Sequence, residues 1–388
     1  MSTSNPTLSN RLSALKADRL LDNVLEATIV GSFTKLGFAA RQKAEGWDTT
    51  PAALLGQTAI VTGATSGIGK ATAAGLLALG ADVHITSRDM GRAEEAAAEL
   101  NETALGAMTR DPDARREGAR GKTVTAETAR SASGPEAASP NGLDRAMESA
   151  GVGGDRRLGA VPHALDTGDF DSIGAFVNEA RGWSGGIDML INNAGALTED
   201  RRVDPRGVEL TLSSHLIGPY LLMTELKGSL NRGARVVFMA SGGMYSQGLD
   251  VDHIEMSEKN YSGTGAYARA KRGQVELVTH LAPEWAPEVI LHSMHPGWVD
   301  TPGVDAGLPL FGKVMGPLLR TAEQGADTMV WLAATGGEGA EPGQFWLDRR
   351  PRGTSYVPGT STDSAERQRL VDWLELQVAS GRQVPSTK

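Results

Sequence analysis

Tyr267 and Lys271 stand four residues apart, and of the five tyrosines in the chain only Tyr267 has a lysine at that spacing. On a helix the spacing places both side chains on one face. A free phenol has a pKa of about 10, and a neighbouring ammonium favours its ionised form. Such a phenol can give a proton to a carbonyl oxygen or take one from an alcohol. Ser241, upstream, follows the apolar run Arg235 to Ala240. Its hydroxyl is suited to hold an oxygen that gains negative charge during reaction. Read singly, these are a surface Tyr–Lys pair and a turn serine, so their meaning depends on the surrounding pattern.

The strongest part of that pattern is Thr62-Gly-Ala-Thr-Ser-Gly-Ile-Gly69. It lies between a β-rich run, Gln57 to Thr62, and a predicted helix from Gly67 to Leu79. Gly63 permits the tight turn, Gly67 lets backbone approach a pyrophosphate, and Gly69 allows close helix packing. Thr65, Ser66 and Ile68 complete a loop whose N–H groups open the helix and face phosphate. The second strand ends in Thr86-Ser87-Arg88. An acidic residue there would bind the ribose 2′-hydroxyl of NAD. Ser87 instead leaves room for a phosphate and Arg88 offers it a cationic fork, with Lys70 as a weaker second cation. The expected cofactor is therefore NADP(H). Asp166, ending the third strand, is placed to accept from the adenine amino group, while Thr167 or Asp169 can cap the following helix.

The elements that must carry these residues alternate. Predicted strands at Asp82 to Ser87, Val161 to Leu165, Ile187 to Ile191, Arg235 to Ala240 and Val289 to Met294 are separated by helical stretches at Met90 to Leu100, Phe170 to Arg181, Asp204 to Leu230 and Gly265 to Ala282. A last short strand is expected at Phe345 to Leu347 and a terminal helix from Asp363 to Ala379. This rhythm implies an α/β fold, a doubly wound parallel sheet of Rossmann type with helices on both faces. The catalytic domain spans 51–388, preceded by an N-terminal helical extension over 1–50, where Leu12, Leu15, Leu21, Val24, Leu25, Ile29, Phe33 and Leu36 recur at helical steps. That extension is expected to pack on its own domain or a partner subunit, with a weak membrane-surface contact as the alternative. Residues 102–158 hold almost no large apolar side chains and are expected to form a disordered insertion, with one short helix near Leu143 to Ala150.

Composition agrees. The 388 residues are 40% hydrophobic and contain 48 glycines, and the formal net charge of -9 argues against nucleic-acid binding. The absence of cysteine excludes a disulfide framework, a Cys-based zinc site and a thiol nucleophile, and no metal site is expected. No apolar leader or spanning segment is seen, so the expected location is cytoplasmic.

Together the glycine loop, Asn192-Asn-Ala-Gly195, Ser241, Tyr267-Ala-Arg-Ala-Lys271 and Pro296-Gly-Trp-Val-Asp-Thr301 occur in the order of the short-chain dehydrogenases/reductases, and the chain resembles that family from about Gln57 to Leu347. Ser241-Gly-Gly-Met244, Met294-His-Pro-Gly-Trp298 and Gln324-Gly-Ala-Asp-Thr-Met329 resemble its member-twelve-like subgroup, and the long gap between Ser241 and Tyr267 resembles retinol dehydrogenases. The resemblance implies hydride transfer between a nicotinamide cofactor and a carbonyl or alcohol carbon, with Tyr267 as general acid/base. Lys271 would also hold the nicotinamide ribose. Asn193, Ala194 and Gly195 would steady the sheet beside the cofactor, and Pro296, Gly297 and Thr301 would line it, Thr301 at the carboxamide. Many members carry an Asn that anchors a proton-relay water where this chain has His215, which either replaces the relay or weakens catalysis. His295 is read as structural. The region that covers the substrate in the family corresponds here to the apolar run from Val304 to Leu319, which is expected either to cover an apolar substrate or to bury one face of an ordinary core helix. The alternative is an NADP(H)-binding scaffold with little turnover, motivated by His215 and the insertion.

Overall fold

The computed structural model describes residues 29–47, 54–110, 159–195, 197–301 and 315–381. Eight strands form one sheet: β1 (Thr58–Thr62), β2 (Asp82–Ser87), β3 (Ala160–Ala164), β4 (Ile187–Asn192), β5 (Leu230–Met239), β6 (Val289–Met294), β7 (Phe345–Leu347) and β8 (Arg350–Arg352), in the order β3-β2-β1-β4-β5-β6-β7-β8. All neighbours are parallel except the β7–β8 hairpin.

The apolar strands feed two cores because successive side chains leave opposite faces of the sheet. Ile60, Leu190, Val236 and Phe238 enter one core with α5 (Phe170–Ala180), α6 (Gly218–Leu226), α7 (Gly263–Trp285) and α9 (Ser364–Gly381). Ala59, Val61, Met189, Ile191, Val237 and Met239 enter the other with α3 (Gly67–Ala78), α4 (Met90–Arg110) and α8 (Ala322–Thr335). Strand order reverses between β1 and β4. The crevice outside the carboxyl ends there is where a sheet of this type seats a ligand.

Several expectations need adjustment. The helix predicted from Asp204 begins only at Leu210. The Asp204 carboxylate accepts from the backbone N–H of Arg206 at 2.8 Å and of Val208 at 3.1 Å, building a turn instead. Glu209 then caps the first turn by accepting from the Thr211 and Leu212 N–H groups. A π-helical turn, Ser213–Ile217, precedes α6, and β5 begins at Leu230. Helix α4 runs past Leu100 to Arg110, into the stretch assigned to the insertion. The rest of that stretch, including the helix near Leu143 to Ala150, lies outside the described residues. So do residues 1–28 of the N-terminal extension and 304–314 of the expected substrate cover.

Two elements were not anticipated. Helix α8 opens with a Thr321–Gln324 capping box and closes on Gly336 in the left-handed region. Strand β8 returns from β7 through Asp348 and Arg349, both at positive φ. The described part of the N-terminal extension is two helices, α1 (Ile29–Phe33) and α2 (Lys35–Glu45), with Phe33, Phe38 and Arg41 buried against the sheet domain. Among the described residues no helix is long and apolar enough to cross a membrane.

Candidate active site

Strand β5 ends at Met239, and Ser241 follows as the cap of a 3₁₀ turn. Its Oγ accepts from the Gly243 N–H at 3.2 Å, which fixes the hydroxyl at the carboxyl end of the sheet. Helix α7 starts on Ser262, whose Oγ accepts from the Gly265 N–H. It runs across β5 and β6 and carries Tyr267 and Lys271 on one face. The Tyr267 phenol faces the Ser241 side chain. Lys271 is 2% exposed, donates from Nζ to the Met239 carbonyl at 2.5 Å, and lies 5.5 Å from the centre of the Tyr267 ring.

Burial works on both groups against their charged forms. It pushes the Tyr267 phenol above its ordinary value, opposed by the Ser241 side chain. It pushes Lys271 down to about 7. The spacing led us to expect an acidified phenol. In the protein alone burial outweighs any help from Lys271.

His215 joins this cluster. The π turn carries it, and Gln274 on α7 holds its backbone carbonyl. Its ring meets Tyr267 edge-on, 5.4 Å between centroids. A Cβ on Gly195 would collide with that ring, so the glycine after Asn193 and Ala194 is what admits the imidazole. Ser241, Tyr267, Lys271 and His215 thus converge.

The second group of residues meets at the β1–β4 reversal. Gly63 is at φ +65, and a Cβ on it would come within 2.8 Å of Ala194 Cα. Asn193 Nδ2 donates to the carbonyls of Thr62 and Gly63 at 2.8 and 3.1 Å, and Thr62 Oγ1 accepts from the N–H groups of Asn193 and Ala194. A side chain on Gly69 would strike the Asn193 amide. Gly67, at φ +53, faces the Thr301 methyl group. Thr65, Ser66 and Ile68 lie in this loop; Ser66 is the N-cap of α3 and makes no side-chain cap bond. The first N–H groups of α3 therefore open toward the crevice, with glycine backbone beside them. This cradle fits a dinucleotide pyrophosphate.

At the far end, Arg88 is exposed just beyond β2. The carboxylate that follows it, Asp89, is occupied as a cap, accepting from the Arg92 N–H at 3.2 Å. Lys70, expected as a second cation, is ion-paired with Glu99 on α4. Asp166 Oδ1 accepts from the Gly168 N–H at 2.8 Å, and Asp169, not Thr167, caps α5.

Beyond β6, Gly297 takes φ +77, and Pro296 offers its carbonyl to Arg320 at 3.2 Å. His295 is buried, accepts at Nδ1 from the Gly297 N–H at 3.2 Å, and is held well below its ordinary pKa by burial and then by Arg320, Arg352 and Arg41. Burial and these cations favour its neutral form.

Sequence reasoning placed Phe33 only on the face of a predicted helix and missed Arg41, Arg320 and Asp348; the four meet behind Gly297. Arg320 binds Asp348 through two nitrogens at 2.6 and 2.9 Å, and Arg41 binds the same carboxylate at 2.7 Å. Residues separated by hundreds of positions leave no local periodicity to announce such a contact.

The geometry can be set beside known proteins. A family model described as short chain dehydrogenase matches residues 57–133, and one described as enoyl-(acyl carrier protein) reductase matches residues 141–336. The chain is 32% identical to dehydrogenase/reductase SDR family member 12 from Homo sapiens, over 82% of this chain and 86% of that protein. It is 30% identical to retinol dehydrogenase 14 from Homo sapiens, over 84% of this chain and 88% of that one. A crystal structure of a short chain dehydrogenase from Burkholderia cenocepacia, in complex with NADP, superposes with a TM-score of 0.52 at 22% identity, covering 76% of this chain and 96% of that one. With the glycine cradle, the serine and the Tyr–Lys helix in one crevice, the chain belongs to the short-chain dehydrogenase/reductase family and is an oxidoreductase with a nicotinamide cofactor.

Proposed function

We propose that the protein interconverts a carbonyl and an alcohol on an apolar substrate, with NADP(H) as cofactor and Tyr267 as general acid/base. The observation that carries this reading is the meeting of Ser241, Tyr267 and Lys271 at the end of β5. The bound nicotinamide supplies or accepts the hydride. Ser241 Oγ holds the substrate oxygen where charge develops. The Tyr267 hydroxyl gives that oxygen a proton in reduction and takes it back in oxidation. Lys271 Nζ, pushed down to about 7, exchanges its proton near neutral pH and restores the phenol. Gly63, Gly67, Gly69, Asn193, Ala194, Gly195, Pro296, Gly297 and Thr301 form the cofactor's walls, and Asp166 lies toward its adenine end.

The preference for the phosphorylated cofactor rests on Arg88, which stands exposed where the 2′-phosphate would lie, with the neighbouring carboxylate already engaged. The apolar run Val304 to Leu319 supports an apolar substrate. The test is consumption of NADPH and NADH over a panel of aldehydes and ketones. Arg88→Ala should raise KM for NADPH by about ten- to a hundredfold and leave that for NADH nearly unchanged. Equal effects on both cofactors would remove the NADP assignment. Tight NADPH binding with no turnover on any carbonyl would instead make the protein a binding scaffold, the reading that the His215 ring against Tyr267 keeps in view.

A further inference from the structure

We propose that the N-terminal segment supplies one wall of the substrate site through Phe33, and thereby selects which carbonyl compounds fit. The inference rests on the carbonyl–alcohol reading above and names a specificity residue for it.

Phe33 closes α1, far in sequence from the catalytic cluster. Its ring nevertheless lies against Gly242, the residue after Ser241: a Cβ added to Gly242 would stand 2.6 Å from Phe33 Cε2. On its other side the ring meets His295 edge-on at 4.5 Å and Trp298 edge-on at 5.8 Å. These two belong to the loop that brings Thr301 to Gly67. The phenyl group therefore bridges the segments after β5 and β6, at the carboxyl ends where this sheet seats ligands. A substrate whose oxygen is held by Ser241 has its substituents next to this bridge.

The ring is also held in place. Its backbone carbonyl accepts from the Trp298 N–H at 2.8 Å and from Arg320 Nε at 3.0 Å. The Ser32 carbonyl accepts from Arg320 at 2.9 Å and from Arg41 at 3.1 Å. Both guanidinium groups close on Asp348, and all three side chains are 1% exposed. An anchor alone requires only those polar contacts. The same segment in addition lays an aromatic ring on Gly242, the residue after the reactive serine.

The experiment uses the full chain saturated with NADP+, a ladder of aromatic ketones of increasing bulk, and calorimetric dissociation constants, with turnover of the same ketones measured separately with NADPH. Phe33→Ala should weaken binding of the compact ketones by about tenfold and shift preference toward bulkier ones. Phe33→Trp should shift it the other way. The Kd for NADPH should not move in either variant. Phe33→Leu serves as the small change should the alanine protein fail to fold. An unchanged size profile in Phe33→Trp and in Phe33→Ala or Phe33→Leu overturns the proposal, as does an NADPH affinity that moves in step with ketone affinity. Wild-type binding of the ladder without turnover defeats the catalytic reading while leaving the wall tested; a wild-type protein that binds no ketone defeats both.

Discussion

Lys271 and the Arg41–Asp348–Arg320 group are both cationic and both buried at the carboxyl end of the sheet, but their surroundings differ. Lys271 meets a backbone carbonyl, and burial alone moves its pKa to about 7. The two arginines share a carboxylate at 2.6 to 2.9 Å and add backbone carbonyls of Ser32, Phe33 and Pro296. A lysine can answer burial by giving up its proton; a guanidinium cannot, and must be paired. The first arrangement keeps a proton exchangeable beside the phenol. The second fixes a segment of chain and has no proton to lend. Buried charge at one end of a sheet thus serves chemistry in one place and architecture in another, and the partner decides which.

Four substitutions press on that contrast. The largest expected effect is on Tyr267, the group whose proton the Lys271 side serves. Tyr267→Phe should lower kcat by about a hundred- to ten-thousandfold while NADPH binding, followed by fluorescence, is retained. Near-normal turnover in that variant would mean that the proton comes from elsewhere. Next is the clamp. Asp348→Ala leaves two buried guanidinium groups without their carboxylate and should cost about 3–5 kcal/mol, read as a fall in Tm of about 10 °C. Arg41→Ala should cost less, because it leaves the bidentate Arg320–Asp348 pair intact. Equal losses would show that the clamp is not organised around Asp348. The smallest effect concerns pH. Between about 7 and the ordinary lysine value of about 10.4, the folded protein has released the Lys271 proton while the unfolded chain still binds it. Unfolding then takes up a proton, so this residue makes stability rise with pH across that window, by at most about 1.4 kcal/mol per pH unit. Lys271→Met should flatten that part of the curve in denaturant titrations. A slope identical to wild type would show that Lys271 is not the group titrating there.

Much of the fold was readable because its signals are local. Strand runs such as Thr58 to Thr62 and Val289 to Met294 are short, apolar and bounded by turn residues, and the glycine spacing from Gly63 to Gly69 marks a strand-to-helix turn by itself. The late start of the helix after Asp204 was also encoded locally. Asp204-Pro-Arg-Gly207 is turn chemistry, and the apolar period beyond it masked the signal. Helix α8 carried its own cap residues, Thr321, Gln324 and Gly336, but a helix with so few large apolar residues in its first turn gives a weak periodic pattern.

The sequence by itself determined the residue types of the site and their order: a cradle for phosphates, a serine, and a phenol and an amine one helical turn apart. Those follow from backbone sterics and helix period, which act over a few residues. Only the tertiary structure decided how those groups are charged, because burial depends on atoms drawn from the whole chain. Folding, not spacing, pushes Tyr267 up and Lys271 down, and folding alone carries Phe33 from the N-terminal segment onto Gly242, next in the chain to Ser241.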